Sequence, residues 1–330
     1  MDDGNFHSTT SLRGHIYSYY FVRQSLSKPT ILFLHGFPST SRDWASQVTF
    51  FSAKGYSILA PDLLGYGKTS APSDIFEYKM LDMAQDIVDI LEALKVEKVI
   101  GVGHDWGSFL LSRLLNTHVH RFLGAAFLAV GYIPPQPLFD YEAQISTMVK
   151  LVGYEVFGYW EFFAADDAPK LCEDNIESFY SLLFPKDPMV WKTDLAPRGK
   201  SREWIERNKQ GPRAGFWTDS ERENHKINLL QRGLQGPLNW YRGRLTGMNN
   251  EDESKIPVES YSIGIPTFFG GALRDHIALA AGGKAMMARF CPELTVRDFD
   301  TSHWIMLEVS AELNDALSEF FVSLQGSTIG

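Results

Sequence analysis

The chain has 330 residues, 44% of them hydrophobic, and a net charge of −9 from 31 Lys and Arg against 40 Asp and Glu. That length is ample for a well-buried core, and at about 150 residues per domain it points to two domains. The acidic balance argues against nucleic acid or an anionic membrane bound through a broad basic face. Cys172 and Cys291 are too few and too far apart for a disulfide framework or a Cys-x-x-Cys zinc or redox site. Residues 1–5 show no basic segment leading into an apolar one, and no apolar run reaches the roughly 18 residues of a membrane span. The last three residues, Thr328, Ile329 and Gly330, are not a peroxisomal or retention signal. The expectation from these features is a cytoplasmic protein. Self-association into a homodimer stays open.

In chain order, apolar runs at 30–35, 56–62, 98–103 and 122–130 read as strands. They lack polar alternation, as strands of a parallel sheet covered on both faces do. Between two of them, Leu81, Ala84, Ile87, Val88 and Leu91 recur at helical spacing. Strand and helix in alternation predict a doubly wound sheet with right-handed crossovers. A proline-rich break at Pro134, Pro135 and Pro137 ends this pattern. From about Leu138 to Leu245 the chain reads as helical and rich in aromatic residues. Alternation resumes with strands at 265–271 and 294–299 and a helix from about Leu307 to Leu324. One sheet interrupted by a helical cap follows, with core segments 1–131 and 247–330 and the cap at 132–246.

Gly103, His104, Asp105, Trp106 and Gly107 stand where a buried strand turns into a helix. Small residues on both sides of a strained strand-to-helix turn let backbone pack on backbone and expose the residue between them as a nucleophile. That residue is Asp105, where a serine hydrolase would have Ser. A carboxylate with an ordinary pKa of about 3.9 is ionised at neutral pH without a base, and a helix N-terminus helps keep it so. It suits attack on a saturated carbon, which leaves an alkyl ester on the enzyme. The bland alternative is an Asp that caps the helix. Hydrolysis of the ester needs a base. His303, between the last strand and the last helix, is the candidate, and His35 and His104 are its rivals. His303 needs a carboxylate to orient it, and Asp275, after the strand at 265–271, stands where the family resemblance set out below implies that acid. Asp298 and Asp300 are closer in sequence but sit in or just past the strand leading into the His303 loop.

His35-Gly36-Phe37-Pro38, the Asp105 turn, Tyr159-Trp160-Glu161-Phe162-Phe163 and Asn239-Trp240-Tyr241-Arg242 together resemble the soluble, microbial or fungal-type epoxide hydrolases of the α/β-hydrolase fold superfamily. The resemblance spans about His15 to Leu324. It implies a mostly parallel eight-stranded sheet with an inserted helical cap, and a cis peptide between Phe37 and Pro38. It also implies an oxyanion hole from the backbone N–H groups of Phe37 and Trp106. Two cap tyrosines, Tyr159 and Tyr241, would protonate the opening epoxide, although Tyr154 competes with Tyr159 for the first role. The sequence has Ser302 where many relatives have Gly. The implied activity is conversion of an epoxide to a vicinal diol through an ester on Asp105, a hydrolase reaction on an ether bond. The implied partners are a small hydrophobic epoxide and water, with no metal or organic cofactor. Phe37, Trp106, Trp160, Phe163 and Trp304 are expected to line the substrate pocket. A haloalkane dehalogenase shares the nucleophile and base, and the Trp106 indole would hold its halide. Phe37 stands where those enzymes place Asn or Glu, and Trp106 where the fluoroacetate type has Arg. Asp105 excludes a serine esterase. A catalytically silent ligand-binding protein on the same fold is the alternative from outside enzymology.

Overall fold

A computed structural model describes residues 1–24 and 28–326. The C-terminal tripeptide lies outside the described residues. Eight strands form one sheet: β1 (Phe6–Thr10), β2 (Ile16–Val22), β3 (Thr30–Leu34), β4 (Ser57–Pro61), β5 (Val99–His104), β6 (Phe122–Leu128), β7 (Thr267–Ala272) and β8 (Leu294–Phe299). Their spatial order is β1-β2-β4-β3-β5-β6-β7-β8. β1 and β2 pair antiparallel with each other, β2 pairs antiparallel with β4, and every other neighbour is parallel.

β3, β4 and β5 are buried along their whole length, as continuous apolar runs in a covered parallel sheet should be. One covering layer is the helix Met80–Ala93, whose apolar positions Met83, Ala84, Ile87 and Leu91 are buried. The edges differ. β1 alternates partly buried and exposed residues, and in β8 the four residues 295–298 are exposed. The last strand is therefore a solvated edge. The helix near the C-terminus runs Ser310–Gly326 and is preceded by a short one, Ile305–Glu308.

Between β6 and β7 the chain is helical, from Tyr141–Val152 through Tyr159–Phe163 and Gln235–Leu245 to Asn250–Ser254. Two of them, Tyr159–Phe163 and Gln235–Leu245, meet Phe37 and Trp106 just past the carboxyl ends of β3 and β5, the end at which α/β sheets gather their ligand sites. The packing is aromatic at the junction: Phe37 of the core meets Phe163 and Tyr241 at centroid distances of 5.3 and 5.1 Å.

Candidate active site

The turn after β5 is built by exclusion of side chains. A Cβ on Gly103 would stand 2.8 Å from the Gly107 carbonyl oxygen and from the Ser108 Cα. A Cβ on Gly107 would strike the carbonyls of Leu34 and His35, and one on Gly36 would strike the Asp105 side chain. Asp105 itself has φ 53° and ψ −122°, a conformation that costs about 1–3 kcal/mol in a non-glycine residue. Its side chain does not cap the helix Trp106–His118, so the bland reading of this aspartate fails. The Phe37 N–H donates to Asp105 Oδ1 at 2.8 Å, and the Trp106 N–H favours the charged carboxylate. The Phe37–Pro38 bond is cis.

His303 stands on the opposite side of the nucleophile. Its Nδ1–H donates to Asp275 Oδ2 at 2.6 Å, which leaves Nε2 facing Asp105 Oδ2 at 3.7 Å. Asp275 is fixed in turn by the N–H groups of Ile277 and Ala278, at 2.9 and 3.0 Å from Oδ1. Burial alone would draw the His303 pKa down, but Asp275 and then Asp105 outweigh it and hold it above the ordinary histidine value. For Asp275 burial is likewise overcome, by His303 and the two N–H groups, and its pKa falls below the usual carboxylate value. Asp105 goes the other way. Burial raises its pKa against the opposing pull of His303 and of the Phe37 and Trp106 N–H groups. The charge of this carboxylate is therefore set by a balance of burial against His303 and the two N–H groups, with the pKa above its ordinary value.

The rival histidines are committed elsewhere. His35 Nδ1–H donates to the Gly36 carbonyl at 2.9 Å while Nε2 accepts the Leu63 N–H at 2.9 Å. His104 Nε2 bonds the His303 carbonyl at 3.0 Å. Burial lowers the pKa of both, so each is a neutral brace for a loop. Asp298 pairs with Lys284 and Asp300 with Arg274, away from His303.

Above Asp105, Tyr159 opens the helix Tyr159–Phe163 and Tyr241 lies in the helix Gln235–Leu245. Their rings are 5.9 Å apart. Tyr241 is gripped edge-on by Phe37, Trp106 and Phe163, each at 5.1 Å. Burial first, then the neighbouring hydroxyl and Asp105, push the Tyr241 pKa well above the usual phenol value; burial and Asp105 do the same for Tyr159. Both hydroxyls therefore stay protonated. Tyr154 is spent on the His276 carbonyl at 2.6 Å, so the structure brings Tyr159, not Tyr154, to Asp105.

Two spaces meet at Asp105. A cavity of about 630 Å³ is lined by Asp105, Tyr159, His303, Trp106 and Trp160. A second space of about 10 Å³ adjoins Asp105 and His303 beneath Tyr159 and Tyr241, room for about one water. Of the expected pocket aromatics, Trp106 and Trp160 line the large cavity, whereas Phe37, Phe163 and Trp304 line only the small one. Phe37 and Phe163 pack on each other and on Tyr241, whereas Trp304 packs on His303, His104, Phe184 and Trp191. The sequence reading missed Phe109, Gln136 and Arg244 on the large cavity and Trp191 against the His303 ring at 5.1 Å. No motif surrounds them. Among the described residues no group of three or more His, Cys, Asp or Glu could hold a metal ion, and no helix is long and apolar enough to cross a membrane.

Residues 29–309 match the family model described as alpha/beta hydrolase fold. The chain is 27% identical over 314 residues to an epoxide hydrolase of Caballeronia sordidicola, covering 91% of this chain and 89% of that one. It is 28% identical over 303 residues to the bifunctional epoxide hydrolase 2 of Rattus norvegicus, covering 88% of this chain but about half (51%) of that protein. Among solved structures, an epoxide hydrolase from an endophytic Streptomyces superposes with TM-score 0.81 at 24% identity, covering 97% of this chain and 96% of that one.

Proposed function

The chain belongs to the α/β-hydrolase fold family, and from that premise we propose that it is an epoxide hydrolase working through a covalent ester on Asp105. The observation that carries this reading is the pair Tyr159 and Tyr241, two buried, protonated hydroxyls held over one carboxylate. The names of the relatives support it.

In the first step Tyr159 and Tyr241 hydrogen-bond the epoxide oxygen. Asp105 Oδ2 attacks a ring carbon from the other side. The carbon–oxygen bond breaks, a tyrosine proton goes to the alkoxide, and an ester with a neighbouring hydroxyl remains. In the second step His303 Nε2 takes a proton from a water in the small space beside it, while Asp275 stabilises the resulting cation. The hydroxide adds to the Asp105 carboxyl carbon. The negative charge on Oδ1 is met by the Phe37 and Trp106 N–H groups, each such donor being worth about 3–4 kcal/mol. The tetrahedral species collapses with cleavage of the acyl carbon–oxygen bond, the diol leaves with the proton from His303, and the second water proton, left on the Asp105 carboxyl, passes to the tyrosinate. In this reading residues 132–246 are the cap that carries the two hydroxyls over a core formed by 1–131 and 247–330. The free, buried Cys172 and Cys291 fit a reducing, cytoplasmic setting.

The dehalogenase reading has one observation in its favour, the Trp106 indole on the cavity wall. It leaves the two tyrosines without a task, because a departing halide needs no proton. A panel of epoxides and haloalkanes, read as diol and as halide, tests the proposal. Diol from epoxides with no halide from haloalkanes is expected. Halide without diol would overturn it, and neither product would favour a silent binding protein.

A further inference from the structure

Apart from the reaction centre, Gln144 and one corner, the large cavity is mostly apolar. In that corner Arg244 and Gln136 line the wall. Arg244 is 4% exposed, and its guanidinium donates to the Gln136 side-chain oxygen. Among the described residues it makes no ion pair. The nearby carboxylate is already used: Glu253 accepts from Arg113 Nε at 2.9 Å and Nη2 at 2.8 Å through one oxygen. Its other oxygen accepts the Gln136 N–H at 2.5 Å. Two buried guanidinium groups thus share one buried carboxylate, and a positive charge is left over where the cavity begins. The rings of Phe139 and Phe109, with the guanidinium carbon 3.4 and 5.2 Å from their centroids, attract that charge without neutralising it. An unpaired buried charge is costly. Burial does draw the Arg244 pKa down to about 9, which leaves it charged at neutral pH.

Resting on the epoxide reading of the same cavity, we propose that Arg244 and Gln136 form an anion subsite, and that the preferred substrate is an epoxide carrying a carboxylate at the far end of an apolar segment. Arg244 is three residues beyond Tyr241 on one helix, so the two project from neighbouring positions on one face. The helix Trp106–His118 orders the wall between nucleophile and subsite: the Trp106 ring stacks on Phe109 at 5.8 Å, and Phe109 lies under both Arg113 and Arg244. Phe109 is four residues along from Asp105, about 6 Å of helical rise, and Arg244 lies beyond it. The acid group therefore stands several carbons from the epoxide. A guanidinium offers a planar fork of donors that matches a carboxylate. The neutral Gln136 oxygen is a weaker acceptor that such a carboxylate would replace.

The test separates binding from turnover. Calorimetry measures decanoate and decanamide, which lack an epoxide, on the wild type, R244K, R244Q and R244M. Decanoate is expected to bind the wild type about tenfold or more tighter than the amide, as a charge-assisted bond implies, with the preference kept in R244K and lost in R244Q and R244M. Equal affinity in the wild type, or a preference surviving in whichever neutral variant folds, would overturn the subsite. In parallel, kcat/KM for a terminal epoxide of decanoic acid should exceed that of its methyl ester, and R244Q should erase the ratio. Arg244-dependent binding of decanoate without diol from any epoxide would sink the epoxide reading and leave the subsite standing. Diol formation indifferent to the acid group would do the reverse.

Discussion

The floor and the roof of this site are held by different forces. On the floor, both carboxylates are fixed by backbone donors, Asp105 by the Phe37 N–H and Asp275 by two N–H groups, and His303 is held in turn by the Asp275 carboxylate. On the roof, Tyr159 and Tyr241 are placed by rings: by each other, by Trp160 and Phe163, and for Tyr241 also by Phe37 and Trp106. A backbone-fixed group keeps its geometry through a reaction cycle. A hydroxyl placed by packing can turn toward a substrate oxygen and give up its proton. The floor is thus suited to making and breaking an ester, and the roof to the moment of ring opening.

His303→Gln divides the two most sharply. The floor loses its base while the roof and nucleophile stay intact, so alkylation should proceed and hydrolysis stall. Multiple turnover should fall by on the order of 10⁴-fold, and mass spectrometry should show the protein carrying one substrate mass. Full turnover in this variant would remove His303 from the scheme. Tyr159→Phe with Tyr241→Phe does the converse. Each single change should slow pre-steady-state alkylation by about 10- to 100-fold, and the pair should nearly abolish it. Decay of an ester already formed should change much less. Unimpaired alkylation in the double variant would mean the roof has no chemical role.

The charge coupling on the floor is a smaller effect with a fixed sign. Asp105 raises the His303 pKa, so Asp105→Asn should lower it, seen as an imidazole NMR titration moving to lower pH. Esterification also neutralises Asp105, so alkylation itself favours the neutral base that the second step needs. A His303 titration that stays put in Asp105→Asn would refute that coupling. Smallest of all is Tyr154→Phe, which deletes only the bond to the His276 carbonyl. Stability should drop by about 1 kcal/mol in denaturant melts. A large loss of alkylation rate there would mean that Tyr154 and not Tyr159 belongs to the roof.

The same contrast explains what the sequence could and could not reveal. β3 to β6 were legible because strands buried on both faces are written as unbroken apolar runs. β1 and β2 went unmarked because an antiparallel edge mixes exposed residues such as His7 and Ser8 with buried ones such as Tyr19, and that weakens the signal. On the floor, Asp105 and His303 could be found because the ends of strands dictate where such residues stand. On the roof, the two tyrosines were found only through local motifs. The cavity wall was mostly illegible: Phe109, Gln136 and Arg244 meet there because of how three separate segments pack, which no short pattern records. Phe37, Phe163 and Trp304, expected in the substrate pocket, line the small space beside Asp105 and His303 and not the large cavity.

The central claim is that the oxygen delivered to the diol comes first from Asp105 and not from water. A single turnover in water enriched in the heavy oxygen isotope, with enzyme in excess over a good epoxide, tests it directly. The account predicts an unlabelled diol and heavy oxygen retained in the Asp105 carboxylate, located by mass spectrometry of the peptide containing it. Heavy oxygen in the diol from the first turnover, with Asp105 unlabelled, would contradict it.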